Sequence, residues 1–187
     1  GRRLLVGAQK DVRTRQFREE HLQISDRTYH GRSELCADPP YYDCYVTGSD
    51  QVWNPQLNNA DPSYFLDFAP ERSIRVAYAA SIGVAKLASE HVSYFEKGLR
   101  HLDYISTREH KAKELLMSLT NQPICVVLDP TLLLSAEEWS NVTVPFNCRK
   151  PYILCYRIRA IDEIDRCTQE LVEHLATMTG WDVVRIG

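Results

Sequence analysis

The spacing of apolar and polar positions changes several times along the chain, and each change marks a predicted element. Over Leu4–Leu22 the apolar residues Leu4, Leu5, Val12, Phe17 and Leu22 stand in an Arg-rich background with a weakly helical spacing. The segment SDRTYHGRSELCADPPYYD is dense in Ser, Asp, Gly and Pro and reads as an irregular connection with one short turn at Arg32–Cys36. The β-forming run Asp43–Thr47 predicts a strand entering a turn at Gly48-Ser49-Asp50, followed by a long loop over Trp53–Asp67. Strands and helices then alternate. Ile74–Ala80 predicts a strand ending near Ser81 and Gly83, and Val92, Phe95, Leu99 and Leu102 lie on one face of a helix capped by Ser89. Asp103–Thr107 is the next strand. Ser106-Thr107-Arg108-Glu109 has the capping-box pattern of a helix start, with Ala112, Leu115, Leu116 and Leu119 facing inward. Ile124–Leu128 is a strand closed by Asp129-Pro130, and Ser135 with Glu138 forms a second capping box ahead of Trp139 on a helix that stops before Pro145.

Beyond a polar, Pro-containing stretch, Tyr152–Tyr156 predicts a strand. Ile161–Met178 predicts an amphipathic helix with Gly180 at its C′ position, and Asp182–Ile186 predicts a strand, which completes a βαβ unit. This alternation argues for an α/β fold with parallel, Rossmann-like sheets. The expected organisation is an N-terminal Rossmann-like domain over residues 1–144, a linker over 145–151, and the first βαβ unit of a second such domain over 152–187. A single βαβ unit buries little, so the chain reads as a fragment cut inside its second domain.

Composition narrows the function. Hydrophobic residues make up 44% and charged residues 25% of the 187, which allows a folded core. The formal net charge of −3 gives no basic excess for binding nucleic acid. No apolar run reaches the roughly 20 residues needed to cross a bilayer, and the start lacks the apolar region of a secretory signal, so a cytoplasmic location is expected. The six cysteines include no C-x-x-C pair and read as reduced thiols, Cys125 and Cys155 as small hydrophobes within apolar strands. Dinucleotide, P-loop, zincin and nucleophile-elbow signatures are absent, and the histidines never fall at metal-pair spacing; no cofactor or metal is expected. Asn141-Val142-Thr143 matches a glycosylation sequon by chance.

The candidate chemistry sits just after the strands. In open α/β sheets ligands bind beyond the carboxyl ends of the strands. The run Gly48-Ser49-Asp50-Gln51-Val52-Trp53-Asn54-Pro55 offers hydroxyl, carboxylate, amide and indole groups there, suited to a polyhydroxylated substrate. The same residues also read as a capped turn with Trp53 as a core aromatic, and residue chemistry alone puts that reading slightly ahead. Arg108 follows another strand at a helix start, where it can grip a carboxylate or phosphate or simply be solvated beside a capping Glu109. Asp129-Pro130-Thr131 reads as a turn. Arg157 and Arg159 close the strand Tyr152–Tyr156 and are further candidates for an anion.

The series YDCYVTGSDQVWNP, YFLDF, RVAYAASIG, DYISTRE, LDPTLLLSAEEW and PYILCY resembles the polysaccharide pyruvyltransferase family in order and spacing. The GSDQVWN block is its most specific element. The resemblance implies two Rossmann-like domains facing each other across a cleft, as in GT-B glycosyltransferases. It also implies transfer of a pyruvyl group from phosphoenolpyruvate to two sugar hydroxyls as a ketal, in cell-surface polysaccharide synthesis. Relative to the family, a first strand with its glycine-containing loop is missing before Gly1 and a histidine-containing segment is missing after Gly187, so the fragment is expected to be inactive alone. On this reading Ser49, Asp50, Gln51 and Asn54 contact the acceptor saccharide, Trp53 shapes or stacks on it, Asp50 is the candidate base, and Arg108 contacts the donor anion. Two other readings stay open: a GT-B glycosyltransferase using a nucleotide-sugar, and a non-catalytic carbohydrate-binding module.

Overall fold

Four short strands, each carrying β-branched or aromatic residues at alternate positions, pair in parallel and organise the N-terminal part of the chain. They are β1 (Cys44–Thr47), β2 (Ile74–Ala80), β3 (Tyr104–Thr107) and β4 (Ile124–Val126), in the spatial order β1-β2-β3-β4. In this computed structural model the described residues are 12, 14–143, 148, 150–156 and 162–186. The chain divides into two compact units, Gly1–Leu133 and Leu134–Gly187.

Register fixes which side chains share a face. Cys44 pairs with Ile74, Val46 with Val76, Val76 with Tyr104, and Ser106 with Cys125. The alternate set, Tyr45, Thr47, Ala77, Ile105, Thr107 and Ile124, is buried. On that face the sheet meets α4 (Ser89–Leu99) and α5 (His110–Met117), whose Phe95, Leu99, Ala112 and Leu116 complete the core with Trp53 and Phe65. The opposite face carries Val46, Ile74 and Tyr104 exposed, and Cys125 is exposed there as well. The expectation that Cys125 packs as a small hydrophobe is thereby corrected: its position in the register turns it away from the core.

The long loop predicted over Trp53–Asp67 contains two short helical turns, α3 (Pro55–Asn58) and a 3-10 turn over Pro62–Phe65. Each begins with the same device. Asn54 Oδ1 accepts from the Gln56 N–H and Asp61 Oδ1 from the Ser63 N–H, at 3.0 and 2.9 Å, while a proline at the first helical position needs no partner for the N–H it lacks. Periodicity does not reveal elements of four residues; their caps do. The upstream helix covers residues 14–21 (α1), and α2 (Arg32–Ala37) occupies the predicted short turn.

Two helix starts differ from expectation. Ser89 is the first residue of α4, and the N-cap is Ala88, which offers no side-chain acceptor. The capping box expected over Ser106–Glu109 does not form, because Ser106 is buried in β3 and its hydroxyl serves the neighbouring strand. The register slips between Ala77 and Ala80, with Ala79 at φ 50°. Ser106 Oγ accepts from the Ala79 N–H at 3.0 Å and donates to the Ala77 carbonyl at 2.9 Å, bridging the bulge.

In the second unit the capping box of α6 (Ala136–Val142) forms as predicted. Ser135 Oγ accepts from the Glu138 N–H, and the Glu138 carboxylate accepts from the Ser135 N–H, which holds that carboxyl below its usual range. The compact units separate before α6, whereas the sequence reading keeps that helix with the N-terminal domain. β5 (Tyr152–Tyr156) and β6 (Asp182–Ile186) pair in parallel, joined by α7 (Asp162–Thr179), with Gly180 at φ 67° ending the helix. Arg157 and Arg159, and most of the 145–151 linker, lie outside the described residues.

Candidate active site

Parallel strands deliver all their carboxyl ends to one edge, so the four segments after β1 to β4 converge in the N-terminal unit. Gly48 makes the exit from β1 possible. At φ 129° it lies against β2 so closely that a Cβ would stand 2.0 Å from the Tyr78 carbonyl oxygen, a position no other residue can occupy undistorted. The turn is then tied to the end of β2, where the Ser81 N–H donates to the Asp50 carbonyl and the Trp53 N–H to the Ser81 carbonyl, both at 3.1 Å.

The polar groups meet around Asp129. Its Oδ2 accepts from Ser49 Oγ at 3.0 Å and from Arg108 Nη1 at 2.9 Å, while Oδ1 accepts from the Thr131 N–H at 3.0 Å and Thr131 Oγ1 at 2.7 Å. The two bonds from Thr131, followed by those from Arg108 and Ser49, hold the Asp129 carboxyl well below the usual carboxylate range. Arg108 is in turn raised above its ordinary value, first by Asp129 and then by Glu109, whose Oε1 accepts from Arg108 Nε at 2.9 Å. Asp50 Oδ1 lies 3.7 Å from Arg108 Nη2, with its carboxylate almost fully exposed at 89%.

A second group flanks the first. Asn54 Nδ2 donates to Gln51 Oε1 at 2.8 Å, and both amides lie against Gly83. A cavity of about 230 Å³ opens here, bordered by Gln51, Ser81, Gly83, Arg108, Glu109 and Lys111.

Of the residues singled out in the sequence, Ser49, Asp50 and Arg108 are brought together, and Gln51 and Arg108 share the cavity wall. Trp53 and Asn54 are placed differently. Trp53 is fully buried, stacked on Phe65 with ring centroids 5.0 Å apart, and its Nε1–H donates to the Tyr64 carbonyl at 3.1 Å. A ring with no exposed face shapes the loop and does not stack on a ligand in this conformation. Asn54 is buried and spent on the α3 cap and on Gln51. The core-aromatic reading of Trp53 describes its placement. Asp129 and Thr131, read in the sequence as a turn, are part of the cluster; the signal available was their position after a strand, on the same edge as the Ser49 turn.

The comparisons with known proteins bear on what such an edge does. A family model described as polysaccharide pyruvyl transferase matches residues 6–182 of the 187-residue chain. The chain belongs to this family. The match runs through both compact units and includes every residue of the cluster. Neither the curated proteins nor the solved structures yield a match to the chain. Among the described residues no group of three or more His, Cys, Asp or Glu is arranged to hold a metal ion, and no helix is long and apolar enough to cross a membrane. Family members are transferases, and a saccharide acceptor follows from the family's name.

Proposed function

We propose that the protein transfers a pyruvyl group from phosphoenolpyruvate to two hydroxyls of a saccharide, forming a ketal and releasing phosphate, in cytoplasmic steps of cell-surface polysaccharide synthesis, on a GT-B type of architecture. The observation that carries the reading is Arg108. It borders a cavity large enough for a three-carbon phosphorylated acid, on the strand edge where the acceptor candidates Ser49, Asp50 and Gln51 also stand. Arginine suits the donor because its planar fork matches carboxylate and phosphate oxygens.

The chemistry requires two sugar hydroxyls to lose their protons while the enol CH₂ of the donor gains one and the departing phosphate takes the other. Asp50, exposed and beside Arg108, is the group assigned to proton movement, and Ser49 and Gln51 orient the acceptor. Asn54 supports Gln51 through its hydrogen bond, and Trp53 anchors the same loop against Phe65 and Tyr64. The test is phosphate release by the full-length protein with phosphoenolpyruvate and pooled acceptor glycans. Release that depends on both substrates supports the reading. Binding of a nucleoside diphosphate with no response to phosphoenolpyruvate contradicts it.

A further inference from the structure

Arg108 reaches the cavity with only part of its hydrogen-bonding capacity uncommitted. Nε is bonded to Glu109 and Nη1 to Asp129, both at 2.9 Å, whereas Nη2 stands 3.7 Å from Asp50, beyond hydrogen-bond distance. Because the guanidinium is planar and rigid, holding two of its nitrogens sets the direction of the third. The Asp50 carboxylate is open to water, so its pull on Nη2 is screened and an incoming anion can replace it.

Asp129 sets this arrangement from a position where it has nothing left to offer a ligand. A carboxylate has about four acceptor sites, and Ser49, Arg108 and the two donors of Thr131 occupy them. Ser49 has given its only proton to Asp129, which leaves lone pairs on its oxygen and fixes it as an acceptor toward anything else.

We propose that Asp129 is a positioning residue: it aims Arg108 Nη2 at the donor anion and turns Ser49 Oγ into an obligate hydrogen-bond acceptor for a saccharide hydroxyl. The proposal rests on the donor and acceptor roles given to Arg108 and Ser49 above. An amide at position 129 cannot reproduce the pattern. One of its two heads is a donor and must face either the Thr131 N–H or Arg108 Nη1, neither of which can accept.

The test compares the full-length protein with Asp129→Asn, Arg108→Ala and the double variant, by two readouts. In the side-chain nitrogen NMR spectrum, Arg108 of the unaltered protein shows separate Nη1 and Nη2 resonances from a guanidinium held in place, and D129N averages them. In calorimetric titration with phosphoenolpyruvate, D129N weakens binding about tenfold, the size of a lost charged hydrogen bond, and adds nothing in the R108A background. If D129N does not fold, Asp129→Ser takes its place, since serine keeps the cap on the Thr131 N–H and removes the hold on Arg108. Separate resonances that persist in the variant, or equal losses of binding with and without Arg108, overturn the proposal. Failure of the unaltered protein to bind phosphoenolpyruvate overturns the donor assignment instead, and the NMR comparison still decides whether Asp129 holds Arg108.

Discussion

The Trp53 and Phe65 rings stack 5.0 Å apart at 16°, fully enclosed, just after the turn that carries the candidate acceptor residues in the chain. The most specific block of the sequence therefore faces two ways: Ser49 and Asp50 line the strand edge while Trp53, a few residues on, anchors the loop in the core. Trp53→Ala is expected to cost about 3–5 kcal/mol by the usual scale for a deleted core aromatic, read as a lower urea midpoint. Trp53→Phe loses the Nε1 bond to Tyr64 and some volume, and should fold. Its Michaelis constant for the saccharide acceptor should stay within about twofold of the unaltered protein, well under the 1.4 kcal/mol of a tenfold change. A large rise in a folded W53F protein would show that the indole touches the acceptor after all.

Ser106 is expected to matter for stability out of proportion to its size. Replacing it with alanine strands the Ala79 N–H, which is buried at the bulge, and removes the bond to the Ala77 carbonyl. The cost should be about 1–3 kcal/mol in chemical denaturation, with amide exchange of Ala79 speeding up ahead of its neighbours in the sheet.

Gly83 sets the width of the cavity. At φ 68° it lies in the left-handed region, and a Cβ there would stand 2.2 Å from Gln51 Oε1 and 2.9 Å from Asn54 Nδ2. Gly83→Ala should displace the Gln51 side chain and raise the acceptor Michaelis constant several-fold. Its loss of stability should be about 1–2 kcal/mol, the cost of left-handed backbone at a residue with a Cβ. Unchanged acceptor kinetics in a folded G83A protein would remove Gln51 from the acceptor site.

The acid limb of stability should report Asp129. Its carboxyl titrates lower in the folded protein than in the unfolded chain, where about 3.9 is normal. Its contribution is therefore complete above about pH 4 and is lost as pH falls further toward the folded value. The urea midpoint of the unaltered protein should exceed that of D129N by a constant margin from pH 7 to about pH 5, and the margin should close below about pH 4. A margin independent of pH would mean that the Asp129 ion pair contributes nothing.

Much of this was legible in the chain before the structure. The strands Ile74–Ala80, Tyr152–Tyr156 and Asp182–Ile186 carry runs of β-formers between clear breakers and match the observed elements residue for residue. Helices α4, α5 and α7 announce themselves by apolar spacing. The misses have physical causes. Ser106 looks like a cap because side-chain type and spacing cannot tell a serine that caps a helix from one that patches a bulge in the adjacent strand. The role of Asp129 depends on its distance to Ser49, 80 positions earlier in the chain, which no local pattern encodes. Trp53 and Ser49 share a motif but not an environment, and only packing separates them.

Whether Arg108 holds the anionic donor at the strand edge is read from the Michaelis constant for phosphoenolpyruvate in Arg108→Ala. With the full-length protein, folded as judged by a single cooperative thermal transition, R108A should raise that constant roughly 10- to 100-fold, the loss of one or two charge-assisted hydrogen bonds, with the acceptor constant moving far less. An R108A protein whose phosphoenolpyruvate dependence is unchanged would contradict it.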